Sequence, residues 1–287
     1  MKLSFRRATA PARTTSSPAV LAGPILEATS TIRVGAGAVL LPNHSPLVVA
    51  EQFGVLAGLY PGRVDLGLGR APAGSGETAV RIGDPRRLDF GDALNELREY
   101  FAGGSGGVRA IPEPAIPPEL WMVGSSAGGA AYAGRSGLPY VYAHAIVGGG
   151  APEALDAYRR AFRPSPQLPE PYACVAVIVA AADTDERAHR LAASFVFGQI
   201  LMRTVDPGTV LPTEEETAAH TFTPQEERFL RERIDPQFVG FPDRIAPRLA
   251  ELLRQTRADE LFVLTQVPDH GARIRSYELL AKIVSSL

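Results

Sequence analysis

Apolar runs of strand length alternate with amphipathic helices along most of the chain, and this alternation limits the available folds more than any other feature. It shows first between residues 31 and 68. Residues 31–41, TIRVGAGAVLL, are β-branched and apolar with few polar interruptions. That is the pattern of a strand covered on both faces, as in a parallel sheet. Residues 46–59 predict a helix, with Pro46 at a first position that needs no N–H. Val49, Phe53, Leu56 and Ala57 share one face of it. Pro61-Gly62 makes a turn, and residues 63–68 form the next strand.

The alternation continues to the carboxyl end. Further helices are predicted over 18–28, 84–101, 126–136, 152–162, 185–203, 243–256 and 270–284, and further strands over 120–123, 140–143, 172–181 and 260–265. Either Asp183 or Thr184 can cap the helix over 185–203. Strands separated by helices imply an α/β fold with a parallel sheet and right-handed crossovers, of the TIM (β/α)8 barrel type. Six strands are legible where a closed barrel needs eight, so either two are hidden or the barrel is incomplete.

Residues 1–17 carry Lys2, Arg6, Arg7 and Arg13 among small and hydroxyl residues, with no strand or helix period. They are expected to form a loosely attached arm. Residues 18–287 are expected to form one barrel domain. A polar, irregular insertion is expected near 206–238, with a short helix over 224–233.

A chain of 287 residues is long enough for one large domain with a substantial core. Its formal charge of −2 gives no reason to expect a nucleic-acid or membrane-surface partner. No apolar run is long enough to span a bilayer. The single cysteine, Cys174, can build neither an intrachain disulfide nor a thiolate cluster, so a reducing cytoplasm is the expected compartment.

In a parallel barrel, ligands sit at the carboxyl ends of the strands. Here those ends are residues 37–43, 67–72, 124–129, His144 and Gln266. Gly67-Leu68-Gly69-Arg70 offers bare backbone and one guanidinium, which suits a phosphate. Gly124-Ser125-Ser126 precedes a helix, where amides and hydroxyls face a positive helix end. A structural reading stays open beside these: the glycines only turn the chain, and Arg70 pairs with Asp65 or Asp89. His44 and Cys174 read as structural groups, and Trp121, Phe195 and Phe197 as packing. Glu214, Glu215 and Glu216 read as a solvated run rather than a metal site. There is no HExxH, CxxC or GxSxG motif.

Three long segments resemble the luciferase-like flavin-dependent monooxygenase family. They are residues 29–70 (TSTIRVGAGAVLLPNHSPLVVAEQFGVLAGLYPGRVDLGLGR), 120–144 (LWMVGSSAGGAAYAGRSGLPYVYAH) and 258–280 (ADELFVLTQVPDHGARIRSYELL). The resemblance implies a (β/α)8 barrel that holds FMN, or alternatively a deazaflavin. It places Arg70 and the Gly124, Ser125 and Ser126 loop at the flavin phosphate, with Gly69 also among the cofactor-binding residues. It also puts a cis peptide at Gly37–Ala38 on the flavin face. The implied activity is monooxygenation of a small organic substrate, with reduced FMN and O2 as co-substrates. A separate NAD(P)H:flavin reductase and a homodimer are the implied partners.

The chain departs from the family at its amino end. The family opens with a strand, a helix and a second strand ending in an acidic-His segment, and residues 1–17 are too short to match that unit. The family's active-site histidine therefore has no counterpart, and no residue is carried over as catalytic. A truncated, inactive or non-catalytic flavin-binding homologue is the alternative reading. A phosphate-binding isomerase or aldolase barrel is less well supported. Lys2 and Lys282 are the only lysines, and neither lies at a strand end for Schiff-base chemistry.

Overall fold

The computed structural model describes residues 7–10, 17–71, 89–204 and 211–286. In chain order the elements are β1 (Arg7–Ala10), α1 (Pro18–Glu27), β2 (Arg33–Leu40), α2 (Pro46–Leu59), β3 (Val64–Gly69), α3 (Phe90–Phe101) and β4 (Glu119–Gly124). Next come α4 (Ala127–Arg135), β5 (Tyr140–Tyr142), the single turn α5 (His144–Val147), α6 (Ala151–Ala161), β6 (Ala173–Ala181) and α7 (Asp185–Thr204). The chain ends with α8 (Glu214–Ala219), α9 (Pro224–Ile234), β7 (Phe238–Gly240), α10 (Pro242–Thr256), β8 (Glu260–Leu264) and α11 (His270–Ser286).

Local chemistry sets many of these boundaries. Proline occupies the first turn of α1, α2, α6, α9 and α10. The side-chain oxygen of Thr184 accepts from the Arg187 N–H at 3.2 Å, so Thr184 caps α7. Asp183 instead pairs with Arg275. The glutamate run is partly structural. Thr213 and Glu216 form a capping box at the start of α8, and Thr223 and Glu226 form another at α9. Glu214 pairs with Arg187 at 2.8 Å.

Among the described residues the sheet has eight strands, all parallel. Neighbours follow chain order from β1 to β6. The long β6 then carries β8 along Cys174–Ile178 and β7 along Val179–Ala181. All six expected strands are present. The two additional ones, β1 and β7, have 4 and 3 residues. The sequence reading takes residues 1–17 as an arm without a strand. In the structure Arg7–Ala10 pairs with Arg33–Ala36 and satisfies hydrogen-bonding groups on an edge that β2 would otherwise leave open. Of the rest of the proposed arm, residues 1–6 and 11–16 lie outside the described residues, and Ser17 precedes α1. Among the described residues β1 and β8 do not pair with each other, so the sheet curls as an incomplete barrel.

The outer face of the sheet and the surrounding helices share one large core that includes Leu26, Phe53, Leu66, Leu68, Leu97 and Tyr158. The inner face is plugged by Trp121, Val141 and Cys174, with Phe262 and Tyr172 packed against them. Trp121 meets Tyr172 and Phe262 edge-on at 5.7 and 6.2 Å. At the amino ends of the strands, Arg33 pairs with Asp65 and with Glu119, the latter at 2.9 Å. This ionic group closes the floor of the barrel, the end associated with stability rather than catalysis.

Candidate active site

The carboxyl ends of the strands open into a cavity of about 800 Å³. That is the size range of a site for a cofactor together with a small ligand. Gly37, Ala38, Gly69 and Arg70 line one side, joined by Gly124, Ser125 and Ser126. All seven residues singled out from the sequence therefore face one space.

β2 supplies the first wall. Its register against β3 shifts between Ala36 and Val39, so Gly37 and Ala38 fall out of the ladder and face the cavity. Bulges of this kind re-aim a strand beside a site. The peptide joining Gly37 and Ala38 is cis, as the family resemblance implies. Below it the two strands approach closely. A Cβ on Gly67 would overlap the Ala36 carbonyl oxygen, so only glycine fits there.

Arg70 follows the end of β3. Neither carboxylate considered from the sequence pairs with it. Asp65 is held by Arg33, and Asp89 caps α3 by accepting from the Gly91 N–H at 2.7 Å. The guanidinium instead lies over the Tyr132 ring, 4.9 Å from its centroid, and 5.9 Å from that of Phe90. These two rings contact each other at 5.7 Å with an interplanar angle of 70°. They form a seat that the sequence reading missed, because Phe90 starts α3 and Tyr132 lies within α4, 42 residues apart in the chain. Among the described residues Arg70 makes no ion pair, so its charge is available to a ligand.

The start of α4 forms the opposing part of this wall. Ser126 is the helix cap, and its Oγ accepts from the Gly129 N–H at 3.1 Å. The Tyr140 hydroxyl donates to the Ser126 carbonyl at 3.4 Å. Burial pushes the Tyr140 phenol far up, so it remains a neutral donor. Tyr140 thus braces the loop from beneath. Ser126 and Gly129 at the start of α4 line the same volume as Arg70, so the positive end of that helix and the guanidinium adjoin one space, an arrangement suited to an anion.

The far side of the cavity has a different character. Ile178 and Ala180 of β6, Phe195 and Val196 of α7, and Ile234 and Val239 supply apolar surface. Phe195, taken as packing from the sequence, lines the ligand space. Three glutamines, Gln199, Gln237 and Gln266, also reach it. Only Gln266 carried a sequence signal, as a residue following a strand.

No histidine lines this cavity among the described residues. His44 is half-buried, and burial lowers its pKa. His144 is buried, and its Nε2 lies 3.3 Å from the Pro236 carbonyl. It borders a separate shallow groove with Phe238 and Arg248. Cys174 is fully buried in the plug. Among the described residues no group of three or more His, Cys, Asp or Glu is placed to hold a metal. No described helix is long and apolar enough to cross a membrane.

A family model described as luciferase-like monooxygenase matches residues 2–260. A luciferase-like monooxygenase of Escherichia coli K12 is 35% identical over 280 residues, covering 95% of this chain and 82% of that protein. Among solved structures, apo-MsnO8 superposes with a TM-score of 0.83 at 37% identity, covering 94% of this chain and 82% of that one. The oxygenating constituent of 3,6-diketocamphane monooxygenase from Pseudomonas putida, in complex with FMN, gives 0.66 at 18% identity, covering 94% and 83%. An F420-dependent secondary alcohol dehydrogenase gives 0.60 at 14%, covering 92% and 83%. The last two likenesses concern the fold alone.

Proposed function

The chain belongs to the luciferase-like monooxygenase family, and from that premise we propose that its cavity holds FMN. The observation carrying this reading is that Arg70, with no carboxylate partner among the described residues, faces the same volume as the first turn of α4. Arg70 and the Gly124, Ser125 and Ser126 loop would hold the phosphate. Gly37, Ala38 and Gly69 would line the ring system, where missing or small side chains let a flat group lie against backbone. When bound and reduced, FMN would supply the two electrons with which one atom of O2 is inserted into a small organic substrate and the other is reduced to water.

The protein's own contribution is binding, orientation and exclusion of water. Arg70, seated on Tyr132 and Phe90, presents a fixed positive charge. Tyr140 and the Ser126 cap hold the anion loop in place. Ile178, Ala180, Phe195 and Val239 keep the substrate side dry, which strengthens polar interactions inside it. In this reading the electrons come from a separate NAD(P)H:flavin reductase. The exposed Val20 of α1 and Val48, Val55 and Leu59 of α2 support a homodimer, which sedimentation would test.

The decisive experiment is a fluorescence titration with FMN, riboflavin and the deazaflavin F420. FMN should bind at least about tenfold more tightly than riboflavin, reflecting charge-assisted contacts to its phosphate. Equal affinities would refute the phosphate site, and tighter F420 binding would select the deazaflavin. A non-catalytic flavin-binding homologue is a second reading, favoured by the absence of histidine from the described cavity lining. Substrate-dependent O2 uptake with reduced FMN would exclude it.

A further inference from the structure

One rim of the cavity is built from two short pieces of chain. Ile146 and Val147 of α5 line it and are 61% and 50% exposed. Glu232 and Arg233, in the last turn of α9, line it as well. The Arg233 guanidinium donates to the Ile146 carbonyl at 3.1 Å, which joins the two pieces. Ile178, Phe195 and Val239 continue the apolar lining inward. Apolar side chains left open at a pocket are a place for the apolar part of a ligand.

Glu232 is exposed, and among the described lining residues it is the only carboxylate. The arginines on either side of it are engaged elsewhere. Arg231 pairs with Glu227 at 3.8 Å, and Arg233 bonds the Ile146 carbonyl and lies 5.5 Å from the Phe229 ring centroid. Among the described residues the Glu232 side chain has no hydrogen bond or ion pair. The helix does not account for it either. A carboxylate in the last turn meets the negative end of the helix dipole, where Arg231 and Arg233 fit and a glutamate does not. Arg70, the remaining ion of the lining, follows β3 and is assigned to the phosphate. We infer that Glu232 selects substrate, its carboxylate pairing with a protonated amine on the outer end of an otherwise apolar molecule. The apolar body lies against Ile146, Val147 and the wall behind them. The ammonium stays in water at the rim, so the pair avoids most of the cost of desolvation. A carboxylate on the same molecule is repelled. The inference rests on reading the cavity as a joint cofactor and substrate pocket, and it adds the charge class of the substrate.

The test titrates hexylamine, 1-hexanol and hexanoate into FMN-loaded and FMN-free protein by calorimetry. Exposed ion pairs contribute little, so the expected effect is modest. Hexylamine should bind about fivefold more tightly than 1-hexanol, with hexanoate weakest, and added salt should shrink that advantage. In Glu232→Gln the amine and the alcohol should come within about twofold of each other, with 1-hexanol and FMN affinities unchanged. Glu232→Lys should place hexanoate above hexylamine. Glu227→Gln removes a carboxylate of the same helix that does not line the cavity, and it should leave the amine preference intact. Hexylamine binding no tighter than 1-hexanol, no probe binding, a preference that survives Glu232→Gln, or an equal loss in Glu227→Gln would each overturn the inference. Amine preference in protein that fails to bind FMN would sink the cofactor reading alone. FMN binding without the preference would sink the role of Glu232 alone.

Discussion

Replacing Arg70 with alanine tests the cofactor site most directly. The guanidinium lies 4.9 Å from the centroid of Tyr132, and no described carboxylate neutralises it. Its whole charge is then available to a phosphate. A hydrogen bond to a charged partner contributes about 1.5–3 kcal/mol, and 1.4 kcal/mol is tenfold in affinity. Arg70 is exposed, so screening favours the lower part of that range. Arg70→Ala should weaken FMN by about 10- to 100-fold and leave riboflavin within about twofold. Arg70→Lys should fall between, keeping the charge but losing the two-pronged contact and the stacking on Tyr132. Fluorescence titration at two salt concentrations provides the assay, and the FMN advantage over riboflavin should shrink as salt rises. Equal losses for FMN and riboflavin would show that Arg70 shapes the pocket and does not hold the phosphate.

Two further predictions concern stability. A Cβ on Gly67 would overlap the Ala36 carbonyl, so Gly67→Ala should lower the free energy of unfolding by about 1–3 kcal/mol in urea titrations. The control is Gly58 in α2, where nothing lies within 4 Å, and Gly58→Ala should stabilise by about 0.5–1 kcal/mol. If both substitutions behave alike, the close approach of β2 and β3 does not constrain the fold. The second concerns pH. Burial holds the pKa of both His44 and His144 below the ordinary value of 6.5. The unfolded chain then binds more protons below that pH, so stability should decline as pH falls from about 6.5 through the folded values. Urea midpoints at pH 7.5 and 5.5 should differ, and His144→Asn should narrow the difference. An unchanged difference would remove His144 from this linkage.

Elements with strong local signals were legible in the sequence. The predicted helix over 46–59 is α2 in the structure, because Ser45-Pro46 starts it and Tyr60-Pro61-Gly62 stops it. β1 and β7 escaped because 4 and 3 residues are too few to show a period. They are strands because β2 and β6 offer them hydrogen-bonding partners, which is information held elsewhere in the chain. The glutamate run misled in a smaller way. Thr213 and Glu216 stand at capping-box spacing, a signal that was present and unused.

The same division holds for the site. Local sequence alone determined that the chain alternates strand and helix and that glycine, arginine and serine stand at strand ends. Strand polarity then places those ends on one rim, which is why Gly69, Arg70, Gly124 and Ser125 meet. Tertiary structure decided which charges remain available: Asp65 went to Arg33 and Asp89 to a helix cap, leaving Arg70 over two aromatic rings. It also brought Gln199, Gln237 and Gln266 to one cavity from α7 and the flanks of β7 and β8. Nothing near Gln199 or Gln237 in the chain marks either as a ligand, whereas Gln266 follows a legible strand. Their convergence follows from the curl of the sheet, which only long-range strand pairing and helix packing create.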